Sequence, residues 1–159
     1  MKVRCSVLVA LVAAVALTSV AAAGPAGAKQ RVAIDMQGGQ SFTLYPLQAG
    51  ALKRDKGPST VDFQNGGSFM RKGQQISIYN VTYTLSGKLG SLTIQERNEW
   101  VDVSQKNARG FDYRPGVAIG TWKVVRGTGA YAKVVGGGRT AHAGMGKQWF
   151  IRLEGFVSR

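Results

Sequence analysis

From Lys29 onward the apolar positions recur with a period of two, and no stretch keeps a helical period beyond two turns. Val32 to Met36 and Ser41 to Tyr45 are extended runs joined by Gln37-Gly38-Gly39-Gln40, a hairpin pattern. Pro46 ends the second run, because proline donates nothing to a ladder, and Gln48 to Lys56 reads as a polar surface loop. Ser59 to Gln64 is the third strand, closed by Asn65-Gly66, a pair suited to a tight turn. Phe69 opens an irregular link to the long run Gln75 to Leu85. There Tyr79, Val81, Tyr83 and Leu85 share one face, whereas Ile76 and Ile78 have the opposite parity, so a bulge is expected near Tyr79.

Ser86 to Gly90 turns the chain into Ser91 to Val103, where Leu92, Ile94, Glu96, Asn98 and Trp100 share one face. That face begins apolar and becomes polar at Glu96. Ser104 to Pro115 reads as a loop. Val117 to Val125, Gly138 to Ala143 and Gln148 to Val157 complete about eight strands. Closing such a sheet on itself removes its unpaired edges. The expected fold is therefore all-β, a single antiparallel up-and-down β-barrel, with a sandwich as the alternative.

The strands are preceded by a segment of different character. Met1-Lys2-Val3-Arg4 carries two positive charges, and no charged residue follows until Lys29. A Val/Leu/Ala core runs to about Val20, then come two Ala-x-Ala sites, Ala21-Ala22-Ala23 and Ala26-Gly27-Ala28. This order predicts a helical signal peptide over residues 1–28, a barrel domain over 29–159, and secretion, with cleavage near Ala28 or at the earlier Ala23 site. An uncleaved membrane anchor is the alternative. It fits the length of the segment but not the Gly, Ala and Pro of its last third.

Cleavage changes the composition in two ways. Cys5, the only cysteine, leaves with the leader, so packing alone must stabilise the domain. Removing Lys2 and Arg4 from 21 basic residues leaves 19 against 8 acidic ones. These charges are scattered rather than gathered in a stripe, which argues against a nucleic-acid partner. Outside a cell they suit an anionic wall or membrane polymer, or simply a solvated surface. Glycine is about twice as frequent as its usual ~7% and has no period, as turns and bulges between short strands require.

Gly127-Thr128-Gly129-Ala130-Tyr131 and the glycines at 136–138 interrupt two strands. They read as a tight turn, one helical turn near 128–134 capped by Thr128, and a glycine exit. Gly127 or Gly129 is expected at positive φ, and Tyr131 as a buried plug against Trp122 or the last strand. No Gly-Lys-Ser/Thr follows, which excludes a phosphate loop. With Gly120-Thr121-Trp122-Lys123-Val124-Val125 before it, the segment resembles the late-strand turn of allene oxide cyclase and dirigent-like barrels. The chain also resembles a group of small secreted bacterial proteins of unassigned activity. The matching pieces there are Phe42 to Leu47, Leu52 to Asp55, Glu99 to Asp102, Gly120 to Gly138 and Leu153 to Val157. The first resemblance implies an eight-stranded barrel and, by extension, an isomerase or cyclase working in an apolar pocket. It carries no catalytic residue onto this chain.

The catalytic inventory is short. His142 is the only histidine, which precludes a His-rich metal site, and no nucleophile elbow accompanies it, so it reads as a surface or packed residue. Among Glu96, Glu99 and Asp102, strand parity sets Glu99 apart from the other two, leaving Arg97 and Glu99 for exposed ion pairs with neighbouring strands. Glu96 continues an interior face, where a carboxylate needs Arg152 or Tyr83 as partner, or hydration at the barrel mouth. The residues point to a cofactor-free binding or wall-associated module for a small apolar molecule or an anionic polymer. Glu96, Trp100, Tyr83 and Trp122 are its candidate ligand contacts, and no residue is assigned to catalysis or metal binding. An isomerase and a purely structural surface protein are the alternatives, and oligomeric state is left open. Interior volume discriminates: a packed interior disfavours any pocket, while an open apolar cavity with Glu96 at its base favours an enzyme.

Overall fold

The computed structural model describes residues 27–102, 105–106, 112–113, 115–145 and 148–159. The leader helix expected within residues 1–28 lies outside them, apart from Gly27 and Ala28, which carry no regular structure. Ten strands follow in chain order: β1 (Gln30–Gln37), β2 (Ser41–Pro46), β3 (Asp55–Arg71), β4 (Gln74–Gly87), β5 (Gly90–Asp102), β6 (Gln105–Lys106), β7 (Asp112–Tyr113), β8 (Pro115–Gly127), β9 (Val135–Met145) and β10 (Gln148–Ser158). Eight of them close a barrel in the order β1-β10-β9-β8-β5-β4-β3-β2, each antiparallel to its neighbours. Each strand thus pairs with the next along the chain, and β1 meets β10 from Gln30↔Val157 to Gln37↔Phe150. The expected loop at 104–115 instead contains the small β6–β7 pair, which stands outside the barrel.

Alternation fills the interior as the pattern predicts. Val32, Ile34, Leu44, Val81, Tyr83, Leu85, Leu92, Ile94 and Leu153 are all essentially inaccessible, and burying an aliphatic side chain of this kind contributes roughly 1.5–3 kcal/mol. Two local expectations change. Asn65-Gly66 is not a turn, because β3 runs on to Arg71 and reverses at Lys72-Gly73. The bulge foreseen near Tyr79 lies on the partner strand: Gly66 and Gly67 stand opposite Ile78 alone, between Asn65↔Tyr79 and Ser68↔Ser77. Gly67 absorbs it at φ 97°, a conformation glycine adopts cheaply. Tyr79 and Val81 therefore keep their inward parity, while Ile76 is buried on the opposite parity between Phe69 and Val101.

One end of the barrel is sealed. Gly129–Tyr131 forms a single 3-10 turn, with Gly129 at φ 56° and Gly127 outside the positive-φ region. Thr128 occupies the cap position but does not cap. Its hydroxyl instead accepts from the Ser91 N–H at 3.0 Å, tying the turn to the start of β5. Ala130 N–H adds a bond to the Leu89 carbonyl at 2.8 Å. The turn lays Tyr131 inside the end of the barrel, 1% exposed, and its hydroxyl donates to Asp55 Oδ2 at 2.8 Å.

Asp55 falls in the segment read as a surface loop, yet it is buried. A carboxylate there is tolerable because it accepts from every donor around it: Tyr131 and the backbone N–H groups of Lys56, Lys88 and Leu89, at 2.8 to 3.1 Å. Burial pushes its carboxyl up, but those four donors outweigh burial and hold it below the ordinary aspartate value of 3.8. The stabilisation is therefore complete above the ordinary aspartate value and is lost as pH falls through the depressed folded one.

Tyr131→Phe should cost about 1–3 kcal/mol in urea unfolding at pH 7, through the unpaired acceptor left on Asp55. Asp55→Asn should be less stable than wild type at pH 7, the difference shrinking as the solution is acidified below pH 4. A difference that does not narrow in acid would remove Asp55 from the seal.

Candidate active site

Among the described residues, the opposite end of the barrel is open. A cavity of about 430 Å³ enters it beside the β1–β2 turn, at Gly38 and Gly39. Val61, Phe63, Tyr79 and Ile151 make its apolar sides, together with Trp100 and Trp149. The two indole rings lie 4.6 Å apart at 53°, and the Tyr79 ring meets Trp100 edge-on at 6.4 Å. Glycine sets where these rings can lie. A Cβ at Gly116 would come within 2.0 Å of the Trp100 ring, and one at Gly144 within 2.1 Å of the Trp149 ring. Each indole thus rests on bare backbone of the adjacent strand, an approach no other residue allows.

The cavity floor is polar. Asn98 and His142 line it, and His142 Nε2 lies 2.6 Å from Glu96 Oε1. The Glu96 side chain has no solvent exposure and that of His142 has 5%. Asn98 Nδ2 donates to the same Glu96 oxygen at 3.3 Å. Glu96 and Asn98 come from β5 and His142 from β9, with β8 between them. The strands meet across β8 because its inward positions there are small: Gly116, Ala118 and Gly120. A Cβ at Gly120 would stand 2.7 Å from the Asn98 Cα.

Beneath the floor, Tyr83 from β4 is fully buried. Burial pushes its hydroxyl far above the ordinary tyrosine value, and the charge of Glu96 adds to the shift, so Tyr83 stays a neutral phenol. It is close enough to feel that charge without making a hydrogen bond of good geometry. Among the described residues its hydroxyl has no partner, nor have Glu96 Oε2, Asn98 Oδ1 and Thr140 Oγ1. Four unpaired polar atoms in one interior cluster contrast with the fully bonded carboxylate at the sealed end.

Of the residues singled out in the sequence, Glu96, Tyr83 and Trp100 converge here. Trp122 does not: it is buried beside Gly138, its indole N–H donating to the Glu154 carbonyl at 3.1 Å, and it does not line the cavity. Glu96 is not hydrated at the mouth, and Arg152 is not its partner. Arg152 is on the outer surface, paired with Asp35 and Glu154. Glu99 is also outside and pairs with Arg71 at 2.9 Å rather than with any interior group. The side chain of Asp102 lies outside those described. His142, expected as a surface or packed residue, is buried and lines the cavity, as do Trp149 and Tyr79, which are not among the candidate contacts. No group of three His, Cys, Asp or Glu side chains comes together among the described residues. Comparison with family models, with curated proteins and with solved structures finds no match to the chain.

Because the Tyr83 hydroxyl is buried without a partner, its removal should relieve a desolvation cost of about 1–3 kcal/mol. Tyr83→Phe is expected to unfold in urea at the same or a higher concentration than wild type. A loss of more than about 1 kcal/mol would mean that the hydroxyl is bonded.

Proposed function

We propose that this chain is an exported barrel protein that takes a small, largely apolar molecule, carrying one hydrogen-bonding group, into the open end of its barrel. One observation carries the reading: the cavity has aromatic and aliphatic walls and a polar floor whose groups are incompletely bonded. Its volume of about 430 Å³ lies within the range of about 300–1,000 Å³ usual for small-molecule sites. An apolar body gains by leaving water against Trp100, Trp149 and Tyr79. A polar group on it gains by meeting His142 and Asn98, whose Oδ1 is otherwise kept out of water without a partner.

Closure of eight strands and the Gly-Thr-Gly-x-aromatic turn agree with an allene oxide cyclase-like plan, in which the barrel interior is the working volume. Export follows from the leader pattern. Under this reading, the protein recovered from culture medium begins at Lys29, or at Gly24 if the earlier site is cut. N-terminal sequencing decides this, and an intact chain in the membrane fraction would reverse the localisation.

N-phenyl-1-naphthylamine, a neutral apolar fluorophore, reports the pocket without responding to the basic surface. It should bind with about one equivalent per chain, and Trp100→Leu should weaken it by about tenfold, equivalent to 1.4 kcal/mol. Trp122→Phe should leave the affinity of the folded protein unchanged. Equal affinities for wild type and Trp100→Leu would place the dye, and the proposed site, elsewhere.

A further inference from the structure

The floor of the cavity has the parts of a proton-transfer centre. The chain's single histidine directs Nε2 at a carboxylate that has no solvent exposure, at a distance expected of a strong, charge-assisted hydrogen bond. The ring lines the cavity, and Nδ1 has no hydrogen-bond partner among the described residues. When Nε2 carries the proton that Glu96 accepts, the lone pair is on Nδ1, the nitrogen left for a bound molecule. Glu96 then does what an acid behind a catalytic imidazole does: it selects the tautomer and stabilises the imidazolium that forms. No serine, threonine, cysteine, lysine or arginine is among the described residues of the lining, so the centre offers a base without a nucleophile.

Resting on the small-molecule reading above, we propose that His142 is a catalytic base, positioned by Glu96, for an enolisable carbonyl compound with an apolar body. Nδ1 of His142 takes the proton from the carbon next to the carbonyl. The C–H electron pair becomes the carbon–carbon double bond of an enolate, and the carbonyl π pair moves onto oxygen, where an Asn98 amide N–H is the available donor. The imidazolium then returns a proton to the same carbon, giving exchange, or to the far carbon of a β,γ-unsaturated ketone, giving its conjugated isomer. Charge and atoms balance with no cofactor, oxidant or second substrate. The aromatic walls hold the carbon skeleton and keep water from the enolate.

The test uses the secreted chain with 2-tetralone in D2O, following deuterium uptake next to the carbonyl by NMR while quenching of tryptophan fluorescence follows binding. Wild type should exchange the ketone at least tenfold faster than His142→Gln, a variant whose amide can still donate to Glu96 and so keep the floor intact. Glu96→Gln should bind the ketone with unchanged affinity and exchange it more slowly, a separation that a merely structural carboxylate would not produce. Independently of any ketone, the single imidazole should show a low-field Nε2–H proton signal in wild type that moves upfield in Glu96→Gln. Equal exchange rates for wild type and His142→Gln overturn the proposal. Quenching then tells the two readings apart: quenching without acceleration leaves the pocket standing and removes only the base, and absence of both removes the two together.

Discussion

A carboxylate shut inside a β-barrel is expensive unless something bonds to it, and among the described residues this barrel buries two of them, Asp55 at the sealed end and Glu96 midway along β5. Asp55 is surrounded by four donors and is finished as a structural group. Glu96 has His142 and a long bond from Asn98 on one oxygen and no partner on the other. That inequality divides the molecule. Below Glu96, the interior is packed with aliphatic side chains and closed by Tyr131. Above it, Trp100 and Trp149 are drawn back onto the bare backbone of Gly116 and Gly144, and the cavity lies among those rings.

Glycine supports both ends in different ways. At the seal, Gly129 has a left-handed backbone and lies where a Cβ would come within 2.4 Å of the Leu89 carbonyl, so the turn can close onto the β4–β5 connection. At the open end Gly38 and Gly39 make the β1–β2 turn at positive φ, whereas Gly116, Gly120 and Gly144 within the strands are sterically small rather than conformationally special. They let indole rings lie flat on neighbouring strands and let β5 and β9 reach one another across β8. The excess of glycine in the composition thus has two physical origins, and only one is the turn-making that composition suggests.

Period-two alternation made the barrel legible, and it placed Leu92, Ile94, Glu96, Asn98 and Trp100 on one inner face before any pairing was known. It failed where alternation is weak. β9 reads Val-Gly-Gly-Gly-Arg-Thr-Ala-His-Ala-Gly-Met, in which small residues occupy both faces, so nothing local marks His142 as interior. Its partner stands 46 residues earlier and two strands away, a relation that only the strand order and the low wall of β8 create. Asp55 was hidden for a related reason: its four donors belong to a neighbouring residue, a distant hairpin and a distant turn, while Lys53, Arg54 and Lys56 around it make the segment look solvated. Asn65-Gly66 carried a true local signal for irregular backbone, and length decided its form. With β4 available to pair as far as Gln74, a bulge kept more of the ladder than a turn would have.

The strand order also has a consequence for how the barrel forms. Seven of its eight pairings join strands consecutive around the meander, and one, β1 with β10, joins Gln30 to Val157. Closing a flexible loop of that length in one step would cost on the order of 4 kcal/mol of chain entropy. The hairpins can zip from their turns first, so most of that search is divided into short ones, and the ring is completed by a single seam between the two ends of the domain. The seam carries Ile34, Met36, Ile151 and Leu153 into the core. Until it shuts there is a curved sheet but no inside, and therefore neither a sealed end nor a cavity.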